Sequence, residues 1–271
     1  MLEPYGKPRY NPDMGQVPIV VITGAPEWTD RVERIVEAAG FAMAIYHSQA
    51  GYVVRLADDH AALVIVDGDQ PGWEFWVSTP KASPATRRVP VVVVSVSAAR
   101  RRAGLDAGAD FALPLDFLHT ELPVILRQHS RIQDSSARAH LEARCHDALP
   151  PQAREAIAQF NAGHYYTQHD LLEELWMEEQ GAVRDLYRAV LQVGISYYQV
   201  TRGNRRGALK MLLRSIQWLN ILPDECQGVD IRRLREDALR VRSALEALDN
   251  DGDMASFDLS LLRPVRLIEE T

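Results

Sequence analysis

The stretch AALVIVDGDQPG, residues 61–72, decides the fold. Its apolar run is continuous rather than alternating, and a β-branched run of that kind marks a strand covered on both faces, as in a parallel sheet between helices. The run ends on Asp67, and the turn formers Gly68, Asp69, Pro71 and Gly72 follow at once. Working outward, IVVI at residues 19–22 and VVVV at residues 91–94 repeat the pattern. Residues 41–46 read as another strand, and residues 111–113 as a weaker fifth. Between the first two lies a helical stretch, residues 30–39, with Val32, Ile35, Val36 and Ala39 on one face and Gly40 as its stop. Strands alternating with helices predict an α/β doubly wound, parallel five-stranded sheet. In such sheets function collects at the carboxyl ends of the strands, where Asp67 sits.

The chain has 271 residues, of which 46% are hydrophobic and 25% charged, the composition of ordinary globular protein. Domains cluster at about 100–150 residues, so two are expected. The net charge of -7 speaks against a protein that coats nucleic acid, whose affinity comes from Lys and Arg neutralising phosphates. Nucleic acid is therefore not an expected partner. Residues 1–16 hold three prolines and no apolar core of signal-peptide length, and no stretch reaches the ~20 apolar residues of a membrane span. A cytoplasmic protein with a disordered leader at residues 1–16 and no membrane association is expected. Cys145 and Cys226 lie far apart without finger or CxxC spacing and read as unpaired thiols.

Around the opening stretch several landmarks stand in order: Asp67, then Pro71 and Gly72, then Pro90 and Val91 opening a strand that ends at Ser95, then Gly108, Ala109 and Asp110 before the last strand. In these residues the chain resembles response-regulator receiver domains, over about residues 17–128. The resemblance implies a flavodoxin-like fold with Asp67 as phosphoacceptor-like residue and Ser95 as its switch. It also exposes departures. Aspartate phosphorylation needs a divalent cation held by oxygen ligands and a Lys to stabilise the phosphoryl charge. Thr23 and Gly24 stand where the family has two acidic residues, Leu115 stands in place of its lysine, and Asp116 in place of the following proline. Two readings follow: a pseudo-receiver in which Asp67 and Asp69 cap a strand, or a phosphorylatable regulator at Asp67 with Glu27 or Asp69 as substitute ligands.

Residues 129–150 keep a loose three-four spacing of apolar positions and read as a helical linker rather than a zipper, since His129 and Ser136 interrupt the seam. His140, Cys145 and His146 fall in it without a fourth metal ligand. From Pro151 the period becomes helical, predicting an all-α helical bundle over residues 151–248. Its expected helices are 152–162, 169–179, 183–202, 208–222 and 231–247, punctuated by Gly163, Gly181, Gly203 and Gly207. Residues 249–271 form an expected tail. DNDGD at 249–253 begins like a calcium loop but lacks its glycine and final glutamate, and a short strand is expected near 265–268.

In the second half His169, Glu173 and Trp176 fall at i, i+4 and i+7, on one helix face. Gln192 interrupts an apolar stretch of the next helix, and a polar group in a core needs a partner. His169, Glu173, Trp176, Gln192, Tyr198 and Asn204 are the candidate ligand or polar-network residues. These stretches carry a second resemblance: Asn161-Ala-Gly, His169-Asp-x-x-Glu-x-x-Trp176, Leu191-Gln192, Arg202-Gly203-Asn204, Gly207-Ala208 and Gly228-Val229-Asp230 are similar to the domain-of-unknown-function family numbered 309, over about residues 152–247. That implies a compact helical fold and no established reaction, with Asp170 in place of the usual glutamate. One reading makes His169 and Glu173 a metal-dependent or acid–base centre; the other makes the row a buried network tying two helices. One His and one carboxylate do not complete a zinc site, so no metal and no cofactor is predicted. Basic spots at Arg100 to Arg102 and at Arg202, Arg205 and Arg206 read as solvated turns. The expected function is a regulatory or scaffolding protein that works without phosphorylation and binds a protein partner or a small molecule, with a homodimer among the allowed arrangements.

Overall fold

The computed structural model describes residues 17–130, 135–248 and 254–268; the expected leader and the DNDGD stretch lie outside the described residues. The chain divides into two compact units, Met1–Ile132 and Gln133–Thr271. The first contains β1 (Ile19–Thr23), α1 (Thr29–Ala38), β2 (Ala42–Tyr46), α2 (Tyr52–Asp58), β3 (Ala61–Asp67), α3 (Trp73–Ala82), β4 (Val91–Val94), α4 (Ala98–Asp106), β5 (Phe111–Leu113) and α5 (Leu118–His129). The strands lie in the order β2-β1-β3-β4-β5, each neighbour parallel.

This arrangement explains why the apolar runs are continuous. Val20, Ile22, Leu63, Ile65, Val92 and Val94 point into one core with α1 and α5. Val21, Val64, Val66, Val91 and Val93 point into a second core with α2 and α3. Successive side chains of a strand alternate between faces, so covering both faces requires apolar residues at every position. Helix α2, which the sequence pattern did not suggest, seals the second core through Tyr52 and Leu56. In the register Asp67 stands beside Val94 and Thr23 beside Val66, which collects Thr23, Asp67 and Ser95 at the carboxyl edge.

The second unit contains α6 (Ser135–Cys145), α7 (Pro151–Asn161), α8 (Tyr165–Glu178), α9 (Arg184–Thr201), α10 (Arg205–Leu219), β6 (Glu225–Cys226), β7 (Val229–Asp230) and α11 (Ile231–Ala247), followed by two 3-10 turns. Pro151 opens α7, where its missing N–H costs nothing. Asn204 and Asp230 cap α10 and α11, their carboxamide and carboxylate accepting from the Gly207 and Arg233 amides. Helix α9 is buried on nearly every side and forms the axis of the bundle.

Three expectations are corrected here. The expected all-α bundle is not purely helical: β6 and β7 form a small antiparallel hairpin through Gln227 and Gly228, both at positive φ. The strand expected near 265–268 is reduced to a single bridge from Leu267 to Val229. Cys145 and Cys226 are not free thiols but a disulfide, with Cα atoms 4.2 Å apart across a sequence separation of 81. Separation along the chain says nothing of separation in space, and the end of α6 lies against the hairpin. For the same reason Leu141, Cys145 and Leu149 belong to the core of the second unit, and this part of the expected helical linker packs on that unit. Among the described residues no helix is long and apolar enough to cross a membrane.

Candidate functional site

At the carboxyl edge of the first unit, Asp67 is 6% exposed and its Oδ1 accepts from the Asp69 amide at 2.9 Å, closing a turn on itself. Ser95 does not face it by a hydrogen bond. The Ser95 hydroxyl donates to Asp69 Oδ1 at 2.7 Å, and the Val96 amide donates to Asp69 Oδ2 at 3.0 Å. Arg100 approaches the same carboxylate at 3.8 Å and donates to the Gly68 carbonyl at 2.9 Å. Arg101 donates to the Ser95 and Val96 carbonyls at 2.8 and 3.1 Å. The loop after β3 is thus clamped to the loop after β4 by a carboxylate and a hydroxyl, with the Arg100 guanidinium bound to the first loop and the Arg101 guanidinium to the second. Of the arginines that read as solvated, Arg100 takes part in this clamp and Arg101 braces the loop after β4. Thr23 is buried and Gly24 holds φ +76°, so neither brings a charge to the edge. Leu115 lies in a 3-10 turn against the first core. Among the described residues no group of three or more His, Cys, Asp or Glu side chains gathers as a metal site.

In the second unit the sequence row is placed on α8 but is shared out among different neighbours. The Nδ1 of His169 lies 3.1 Å from Asp170 Oδ1, and its ring stacks on Tyr166 at 5.9 Å; Tyr166 in turn packs against Tyr198 at 6.0 Å. The Glu173 side chain is half-buried and makes no hydrogen bond or ion pair with a described residue. The Arg188 guanidinium lies over the Trp176 ring at 4.3 Å and over the Trp218 ring at 4.2 Å. Arg188 also pairs with Asp185 at 3.5 Å. Such cation–π contacts are favourable, most so where water is excluded. Gln192 is buried as expected, but its Oε1 has no hydrogen-bond partner, so it does not join the row. Asn204 serves the backbone: besides capping α10 it donates to Gln199 Oε1 at 2.7 Å. Asn161 likewise pins the tail, exchanging two hydrogen bonds with the Val265 backbone at 2.9 and 2.7 Å. Arg205 donates to the Leu245 and Leu248 carbonyls.

Sequence reasoning missed Gln168, which is 0% exposed with both amide atoms unpartnered. It lies over Gly194, where a Cβ would overlap its Oε1. Phe160 approaches the same Gly194 position at 3.1 Å, and Phe160, Tyr165 and Tyr197 are three rings mutually within 5.7 Å. Burial raises the phenols of Tyr165 and Tyr197 above the ordinary tyrosine range. The signal was present, because Gln168 falls four residues before Leu172 and shares its inward stripe.

The comparisons with known proteins divide along the same line. A family model described as a domain of unknown function, DUF309, matches residues 153–211. An uncharacterized protein of Aquifex aeolicus (strain VF5) is 23% identical over 83 residues, which is 30% of this chain and 25% of that protein. The chain therefore matches only a quarter of that relative's length. Among solved structures, the receiver domain of a sensor histidine kinase, PA1611, from Pseudomonas aeruginosa PAO1 is 19% identical, covering 42% of this chain and 96% of that one with a TM-score of 0.37. A putative response regulator from Chloroflexus aurantiacus is 18% identical over 41% of this chain and 99% of that one, with a TM-score of 0.35.

Proposed function

We propose that this chain, with a receiver-like fold in its first unit and a DUF309 segment in its second, is a regulatory or scaffolding protein whose receiver-like unit works without phosphorylation. The observation that carries the reading is the Asp69 clamp. The Ser95 hydroxyl and the Val96 amide are held by a carboxylate of the chain itself. A phosphoryl group on Asp67 would have to displace that carboxylate and bear its repulsion, with no lysine at Leu115 and no acid at Thr23 or Gly24 to hold a cation. The helical unit then binds a protein partner or a small molecule, and the exposed side of α8, with Tyr166 and Met177 at the surface, is the face we assign to it. A homodimer is compatible with this role, and no cofactor or nucleic acid enters it. We place the protein in the cytoplasm. Incubation with acetyl phosphate and Mg²⁺ tests the proposal: no mass increase on Asp67 is expected, and stoichiometric labelling that disappears in D67N would overturn it.

The competing reading, an acid–base or metal-dependent enzyme centred on His169 and Glu173, draws support from the partly exposed His169 beside Asp170. Metal analysis of the purified protein separates the two. Binding of a stoichiometric divalent ion that H169A abolishes while the fold is kept would favour the enzyme.

A further inference from the structure

The Cys145–Cys226 bond lies at the wall of a cleft of about 590 Å³ whose lining includes Cys145, His146, Asp147, Arg154, Glu225 and Gln227. The two sulfurs are not equivalent. Cys145 keeps 6% of its surface and lines the cleft, whereas Cys226 is 0% exposed and does not. What the bond holds is also unequal. Among the described side chains of α6, only Leu141 and Cys145 are buried, one turn apart on one face. Beyond them the attachment consists of Arg144 with Glu179 at 3.2 Å and the Cys145 carbonyl accepting from the Gln227 amide at 2.6 Å. On the other side, Cys226 belongs to the hairpin β6–β7, which is itself tied to the tail by the Asp230 and Ile268 amides. The disulfide therefore joins a firmly embedded hairpin to a helix with little else to keep it in place.

We propose that Cys145–Cys226 is a thiol–disulfide exchange site that takes a dithiol as co-reactant, and that its redox state sets whether α6 stays on the helical unit. A thiolate of the dithiol enters the cleft and attacks Sγ of Cys145. A new S–S bond forms there, the Cys145–Cys226 bond breaks, and its electron pair leaves on Cys226, which takes up a proton. The second thiolate of the co-reactant attacks its own sulfur in the mixed disulfide and releases Cys145, which is protonated in turn. Two electrons and two protons have passed to the protein, and the co-reactant departs as a disulfide. With the covalent tie gone, the contacts that hold α6 among the described residues are the buried Leu141 and Cys145 side chains, the Arg144–Glu179 ion pair and the backbone hydrogen bond from Gln227, a set compatible with local opening while the rest of the bundle persists.

The test uses the full chain with dithiothreitol as the dithiol. Alkylation under denaturing, non-reducing conditions is expected to find no free thiol before treatment and two after it. Hydrogen exchange resolved by segment is expected to show loss of protection over residues 138–149 and at the Gln227 amide on reduction, with the rest of the hairpin and α7 to α10 unchanged. C145S is expected to give the reduced pattern with or without dithiothreitol; if that variant does not fold, reduction of the unmodified protein still decides. Two free thiols in the untreated protein, unchanged protection of α6 on reduction, or loss of protection throughout the helical unit would each overturn the proposal.

Discussion

Asp67 and Asp69 are two residues apart on one turn, yet they hold different amounts of structure. Asp69 satisfies a buried hydroxyl and a backbone amide, whereas Asp67 accepts from the Asp69 amide. Leaving a buried donor such as the Ser95 hydroxyl unpaired costs about 1–3 kcal/mol when its partner is removed. Asp69→Ala is therefore expected to destabilise the first unit by about 1–2 kcal/mol. Asp67→Asn, which keeps an oxygen acceptor, is expected to cost less. Urea unfolding of the two variants ranks them, and an equal or reversed order would remove Asp69 from its place at the centre of the clamp.

Helices α8 and α9 approach each other where Gly194 leaves room for the Gln168 side chain. Gly194→Ala adds a methyl group into occupied space, and overpacking of this kind costs typically 1–3 kcal/mol. In the Q168A background the added methyl has somewhere to go, so the same substitution is expected to cost less than half as much. A double-mutant cycle by thermal or denaturant unfolding measures the difference. Additive costs would show that the two helices are held apart by something else. This contact also marks where sequence reading stops at the level of elements. Helices α7 to α11 and strands β1 to β5 were legible because period and turn residues are local properties. Helix α2 and the hairpin β6–β7 were not, since seven and two residues are too short to establish a period. The row His169, Glu173, Trp176 was correctly placed on one helix, but its partners Tyr166, Arg188 and Trp218 depend on which helices are neighbours.

Each unit keeps buried phenols, and that gives the whole molecule a shared response to alkali. Burial, reinforced by the hydrogen bond to Asp59, pushes the Tyr46 phenol far above its ordinary value of 10.0, and burial does the same to Tyr52. In the second unit burial, with Asp237 nearby, raises Tyr197. A raised folded-state value means that the folded chain keeps protons the unfolded chain would lose. The contribution is complete below the unfolded value of 10.0 and is lost as pH rises beyond it. Denaturant midpoints of both units are expected to fall between about pH 10 and 12, and Y46F and Y197F to flatten the fall in the first and second unit respectively. An unchanged slope in both variants would refute the assignment.

By itself the sequence determined the two-part organisation, the alternation of strands and helices in the first half, the helical character of the second half and the lack of charge at Thr23, Gly24 and Leu115. These are matters of composition and local period. Tertiary structure alone decided that Ser95 answers to Asp69, that Gln168 fills the gap over Gly194, and that Cys145 meets Cys226 across a separation of 81 residues. The reason is physical: hydrogen bonds, cation–π contacts and disulfides reach only a few ångströms, and which residues come that close is set by how helices and loops pack, a property no single segment contains.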